Sequence, residues 1–346
     1  MIESSIQQSG NVAPAPAGPG LRIARSAVGH GVATALMLVS PLIVFAPAAL
    51  FHCAVRNGRR ATWGAFAVAI VLAGLAQALT LPGTGAGAQM AWAWFATIIL
   101  SIGIPSMAAI PLVERGERFG RVLMFALAAS AIGLGLTELL MQTFFSFSPY
   151  AMQVAQAQEG LGRVIEFYRT RNAGADFIST ARQYMGFAML VLPASILAHF
   201  SLFFVLSLMM IGRLATWRTF TADRKVVAPS ERSYLFRNLS FPDWLLFGFV
   251  VGGITPLTAG LLQTVAANVL ALVLFLYMLQ GLAIFRSVLV KAGAGAVGTL
   301  FGFALLVMLA LTGIGLMLLI VAGLFDSFFD FRHLKRKDDS DESHTD

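Results

Sequence analysis

The chain has 346 residues and a formal net charge of +7; 58% of its residues are hydrophobic and only 12% are charged, about half the charged share of a soluble protein. With a mean hydropathy of +0.78, that balance excludes a soluble enzyme and a disordered chain, and the single cysteine, Cys53, excludes a disulfide scaffold. The 24 lysines and arginines fall in short runs between apolar stretches, which is the signature of basic loops on one membrane face and not of a nucleic-acid surface.

Residues 1–20 are rich in Pro, Gly, Ala, Ser and Gln, with little apolar bulk, and read as a disordered tail. No basic region precedes the first apolar run, so no signal peptide is expected, and His52 stands before Cys53 where a lipoprotein site needs a small residue. Residues 21–332 read as one transmembrane helical domain. Crossing the hydrocarbon core takes about 20 apolar residues, and the candidates are 61–81, 90–112, 121–143, 185–211, 244–261 and 263–285. Two other stretches, 27–55 and 294–325, are too long for one span and short for two. Pro41 and Pro47 break the first, and Gly313 and Gly315 weaken the second. Both are expected to be broken or re-entrant. The fold class is therefore all-α, a polytopic bundle of about eight spans.

Charge sets the orientation. The turns 82–89 and 253–260 carry no Lys or Arg and are expected outside. The clusters Arg56/Arg59/Arg60, Arg115/Arg118/Arg121, the six cations between Arg213 and Arg237, and Arg286/Lys291 then fall inside. With both long stretches folded back, both termini are cytoplasmic. The outer segment 150–183 has Leu161, Val164, Ile165 and Tyr168 at helical spacing, a break at Asn172–Gly174, and then Phe177, Ile178 and Ala181. It reads as two amphipathic surface helices, a connector or a lid. The cytoplasmic segment 213–243 mixes cations with Trp217, Phe220, Tyr234 and Phe236, suited to lipid headgroups or to a protein partner. The charged tail 333–346 is expected to be disordered.

No P-loop is present, so ATP hydrolysis is not expected. The histidines, His30, His52, His199, His333 and His344, have no metal-ligand spacing, so no metal and no cofactor are expected. GAGAVG at Gly293–Gly298 has glycine spacing seen in dinucleotide sites, but it opens a membrane span and not a βαβ unit. Gly248/Gly252 and Gly298/Gly302 read as close-packing faces. Asn238-Leu-Ser240 matches a glycosylation acceptor but lies on the cytoplasmic side. Polar residues inside spans face the bundle interior because lipid cannot solvate them. Glu138, Gln142, His199, Gln263 and Asn268 fall in the outer or middle part of their spans and could line a pocket for a small polar molecule. Near the C-terminus, Asp326 and Asp330 lie one turn apart, followed by Arg332. They are expected to anchor a helix end by pairing with basic residues, or to serve proton coupling.

FPDWLLFG at 241–248, the span with Asn268 leading to YMLQGLAIF at 277–285, and the terminal GLFDSFFDFR together resemble the YybS-like family of bacterial inner-membrane proteins, whose function is unknown. The resemblance is best over 185–332. It implies a multi-pass protein of the bacterial plasma membrane, with broken helices arranged similarly to those of the substrate-binding subunits of energy-coupling-factor transporters. The functional expectation is a substrate-binding or transport subunit without its own ATPase, not an enzyme. The alternative is a membrane scaffold for cell-envelope assembly.

Overall fold

The computed structural model describes residues 19–80, 86–171, 174–214, 217, 234–311 and 313–329, and every regular element among them is helical. The N-terminal and C-terminal tails, Asp330, Arg332 and most of the 213–243 segment lie outside the described residues.

The first apolar stretch is a hairpin. α1 (Pro19–Leu38) ends at Ser40-Pro41, where the proline cannot continue the helix and the Ser40 hydroxyl caps a short 3₁₀ turn (Pro41–Phe45) by accepting from the Leu42 N–H. α2 (Ala46–Thr80) then breaks at Gly58, whose φ of 79° and ψ of 173° lie outside any helix. Cys53 packs on Ala61 and Ala65 across that break. In a straight helix those pairs would stand ~12 and ~18 Å apart along the axis, so the chain folds back at Gly58. Ala35 and Leu38, at the tip of the hairpin, pack with Ala69 and Ala73, ten or more residues along the second leg. The tip thus lies beside the middle of the second leg.

α3 (Ala86–Ile98) runs through a π turn (Ile99–Gly103) into α4 (Ile104–Glu114). Pro105 has no N–H to give the Ser101 carbonyl, which instead accepts the Ser130 hydroxyl of α5 (Phe119–Phe145) at 2.7 Å. α6 (Pro149–Thr170) and α7 (Ala175–Leu190) are the two surface helices expected over 150–183, with the break where Asn172–Gly174 placed it. Their residues are largely exposed, and they meet through Tyr168 and Phe177, ring centroids 5.0 Å apart. α8 (Leu192–Arg213) starts with Pro193 in its first turn. The remaining helices are α9 (Leu245–Gly253), α10 (Gly260–Lys291), α11 (Ala296–Leu311) and α12 (Ile314–Phe329).

Five helical stretches are long and apolar enough to cross a membrane: Pro41–Thr80, Gly87–Glu114, Phe119–Phe145, Leu192–Arg213 and Gly260–Lys291. α11 and α12 add a sixth if counted as one bent span. Against the eight or so spans expected, the apolar helix at 244–261 is short, Leu245–Leu257, because Gly252-Gly253 and Pro256 end it. The stretch 294–325 bends by 109°, more than a right angle, so α12 heads back toward the side from which α11 came.

The core is built from α2, α4, α5, α8 and α10, with the loop residues Leu239 and Phe241. Alternating helices bring the cationic clusters to one end, where Arg59 binds Glu114 at 2.6 Å and Arg121 binds Glu117 at 2.7 Å. Trp217 and Tyr234 point into the core at that end: Tyr234 lies 4.9 Å from the Trp217 ring and 5.7 Å from Phe119, and both are almost fully buried. Burial pushes the Tyr234 hydroxyl up, and the Glu117 charge adds to the shift. These two aromatics therefore pack the bundle instead of meeting headgroups.

Candidate functional site

The hairpin creates a cleft at the arginine-rich end. Residues at helical spacing on α1 (Ser26, His30, Ala33, Met37) face Phe45 of the 3₁₀ turn and the first leg of α2 (Ala48, Ala49, His52, Arg56), and the end of α8 closes the third side with Met210, Ile211 and the following Leu214. The volume is about 670 Å³, within the ordinary range of small-molecule sites. The hairpin tip is tied to α8 by the Ser207 hydroxyl, which donates to the Val44 carbonyl at 3.2 Å.

The cleft is graded along its length. Met37 and Phe45 lie toward the tip, whereas Ser26, His30, His52, Arg56 and Asn57 lie at the arginine-rich end. His30 and His52 meet across the hairpin, Nε2 to Nδ1 at 3.3 Å. His30 Nδ1 also lies 2.9 Å from the Ser26 carbonyl, which can only accept. A neutral His30 therefore carries its proton on Nδ1 and accepts from His52 Nδ1–H, so His52 Nε2 is the remaining nitrogen of the pair. Arg56 is exposed at the mouth and, among the described residues, no acidic side chain lines the cleft.

The polar residues proposed from sequence fall elsewhere. Glu138 and Gln142 are together: the Glu138 carboxylate accepts from Gln142 Nε2 at 2.7 Å, from the Ser148 hydroxyl, and from the Tyr150 N–H at 3.0 Å. It thereby caps the start of α6. Asn268 holds the α7–α8 junction, accepting the Ala194 N–H at 2.8 Å and donating to the Leu190 and Thr264 carbonyls at 2.8 Å each. His199 is exposed, with Nδ1 2.7 Å from the Ser195 carbonyl one turn earlier. Gln263 is half-buried near the start of α10. None of the five lines the cleft.

Asp326 is buried and accepts from Gln280 Nε2 at 3.1 Å, while Gln280 Oε1 accepts the Phe241 N–H at 3.1 Å. The contact that lets Gln280 reach is glycine-based. The Gly281 position lies against the Leu319 backbone and Gly323 against the Tyr277 backbone, so α10 and α12 touch main chain to main chain. Gly252 lies against the Leu270 backbone of α10 in the same way, Gly248 lies against the Val273 side chain, and Gly302 packs on Leu289 and Phe285. Gly293 makes the α10–α11 turn with a φ of 71°.

His30 and His52 have no metal-ligand spacing in the sequence, and metal spacing alone does not single them out. The available signal was their symmetry: His30 stands ten residues before Ser40 and His52 eleven after Pro41. A hairpin folded about that break brings such positions level. Among the described residues no group of three or more metal-ligating side chains forms.

Residues 32–327 match a family described as predicted membrane protein (DUF2232). Comparison with curated proteins and with solved structures finds no match.

Proposed function

Since the chain belongs to the predicted membrane protein family DUF2232, we propose that it is a membrane-embedded binding subunit that captures a small molecule in the cleft between α1, α2 and α8. The observation that carries this is the convergence of His30, His52, Arg56 and Asn57 on one cavity of about 670 Å³ with apolar inner walls. A few polar groups in a largely apolar concavity are what small-molecule recognition requires. With the arginine-rich end facing the cytoplasm of a bacterial plasma membrane, the cleft exchanges its ligand with the cytoplasmic side. From the sequence, Glu138, Gln142, His199, Gln263 and Asn268 could line a pocket for a small polar molecule. In this reading Glu138 and Asn268 hold helix ends, and the cleft takes the ligand. Any energy for transport comes from a partner, for which the cytoplasmic 213–243 segment is the proposed contact. The likeness to YybS-like proteins, and through it to energy-coupling-factor binding subunits, is in keeping with this role.

Native mass spectrometry of the chain gently extracted from its host membrane tests the proposal. A reproducible adduct other than a two-chain bilayer phospholipid is expected. It should be lost in Ala49→Phe, which fills the cleft, and retained in His199→Ala. A protein that carries only two-chain bilayer phospholipids and co-purifies with stoichiometric protein partners would overturn the reading in favour of a scaffold.

A further inference from the structure

Resting on that reading, we infer that the cleft takes a single-chain anionic amphiphile, a phosphate or carboxylate head on one apolar chain. The geometry separates the two halves of such a molecule. Among the described residues Arg56 is the one charged side chain lining the cleft, and its neighbours there, Asn57, Ser26 and the His30–His52 pair, supply neutral donors or ring nitrogens. The inner walls, Ala33, Met37, Phe45 and Ala48, offer only apolar surface.

The state of Arg56 sharpens the argument. Three residues on, Arg59 is held by Glu114 at 2.6 Å; Arg56 makes no ion pair among the described residues and faces a cleft without a carboxylate. A guanidinium with a cavity beside it and no acidic partner is matched by an anion that brings its own acceptor oxygens, and a phosphate or carboxylate can take two of its N–H groups at once. A cationic head would meet Arg56 unfavourably, and a wholly polar anion would leave the apolar walls uncovered. A volume of about 670 Å³ is that of a drug-sized ligand and not of a two-chain phospholipid.

The test uses the full chain in nanodiscs of zwitterionic lipid, with decyl phosphate as probe. Decanol, decyltrimethylammonium and inorganic phosphate separate the contributions of head and chain. Decyl phosphate is expected to bind saturably, one per chain, and the other three to bind about tenfold more weakly or worse. Arg56→Gln should weaken decyl phosphate by about tenfold or more without moving the thermal midpoint, and Arg60→Gln, outside the cleft, should leave binding unchanged. Decanol binding as tightly as decyl phosphate, or indifference to Arg56→Gln, would overturn the anionic class. The binding-subunit reading would survive that result if Ala49→Phe still abolished binding. Retention of an anionic two-chain phospholipid that decyl phosphate cannot displace would overturn the single-chain assignment. Failure of every probe, together with extraction free of adducts, would overturn the binding-subunit reading itself.

Discussion

Individual polar side chains in this protein are mostly spoken for by backbone. Glu138 takes the Tyr150 N–H at the start of α6 and the Ser148 hydroxyl before it, Asn268 bridges Leu190 and Ala194, and Gln280 joins Phe241 to Asp326. In lipid an unmade hydrogen bond has no water to fall back on, so a polar residue in a span is retained where a helix end or a loop needs it. Hydropathy shows that such a residue must face inward, but not which donor it will meet. The glycines divide in the same way. A Cβ at Gly281 would run into the Leu319 backbone, whereas one at Gly135 meets open space. Gly281→Ala should therefore lower the thermal midpoint in detergent, with a loss of roughly 1–3 kcal/mol from overpacking. Gly135→Ala should leave it unchanged or raise it slightly, since alanine favours the helix.

Between elements, what needs explaining is how a stretch legible as one apolar run, 185–211, becomes two helices. Pro193 denies α8 a backbone donor and the chain turns at Val191. The groups freed there are a carbonyl at the end of α7 and an N–H at the start of α8, and a single amide side chain from α10 satisfies one of each. Asn268→Leu removes both partners at once, at a cost of about 1–3 kcal/mol for each group left bare. Hydrogen exchange at residues 188–195 should speed up in this variant while exchange along α5 stays as it was. Equal acceleration in both places would mean that Asn268 supports the whole bundle and not this junction. The proline and the apolar run were visible in the sequence; the clasp was not, because Asn268 and Ala194 are 74 residues apart.

At the scale of the whole molecule, both ends of the chain carry a folded-back unit packed on a long helix. α1 and the first leg of α2 lie against the second leg of α2, and α11 with α12 lies against α10. We propose that each fold-back cancels a crossing, which would leave the flanking cationic clusters on one side. A reporter fused before Met1 and another after Asp346 are both expected on the cytoplasmic side, reached by antibody only after the cells are permeabilised. A terminus reached in intact cells would show that the fold-back next to it crosses the membrane completely.

The amino-acid sequence by itself determined that the chain is a helical membrane protein, where most of its helices start and stop, that 27–55 and 294–325 would be broken, and which end gathers the cations. Those properties follow from apolar length, from proline and glycine, and from the cost of moving charge through lipid, all of which act locally along the chain. Only the tertiary structure decided that His30 meets His52, that the chain reverses at Gly58 and that α8 closes a cleft beside Arg56. These depend on how deeply a hairpin enters and against which helix it comes to rest. Side-chain packing between segments distant in sequence sets that depth, and no local periodicity encodes it.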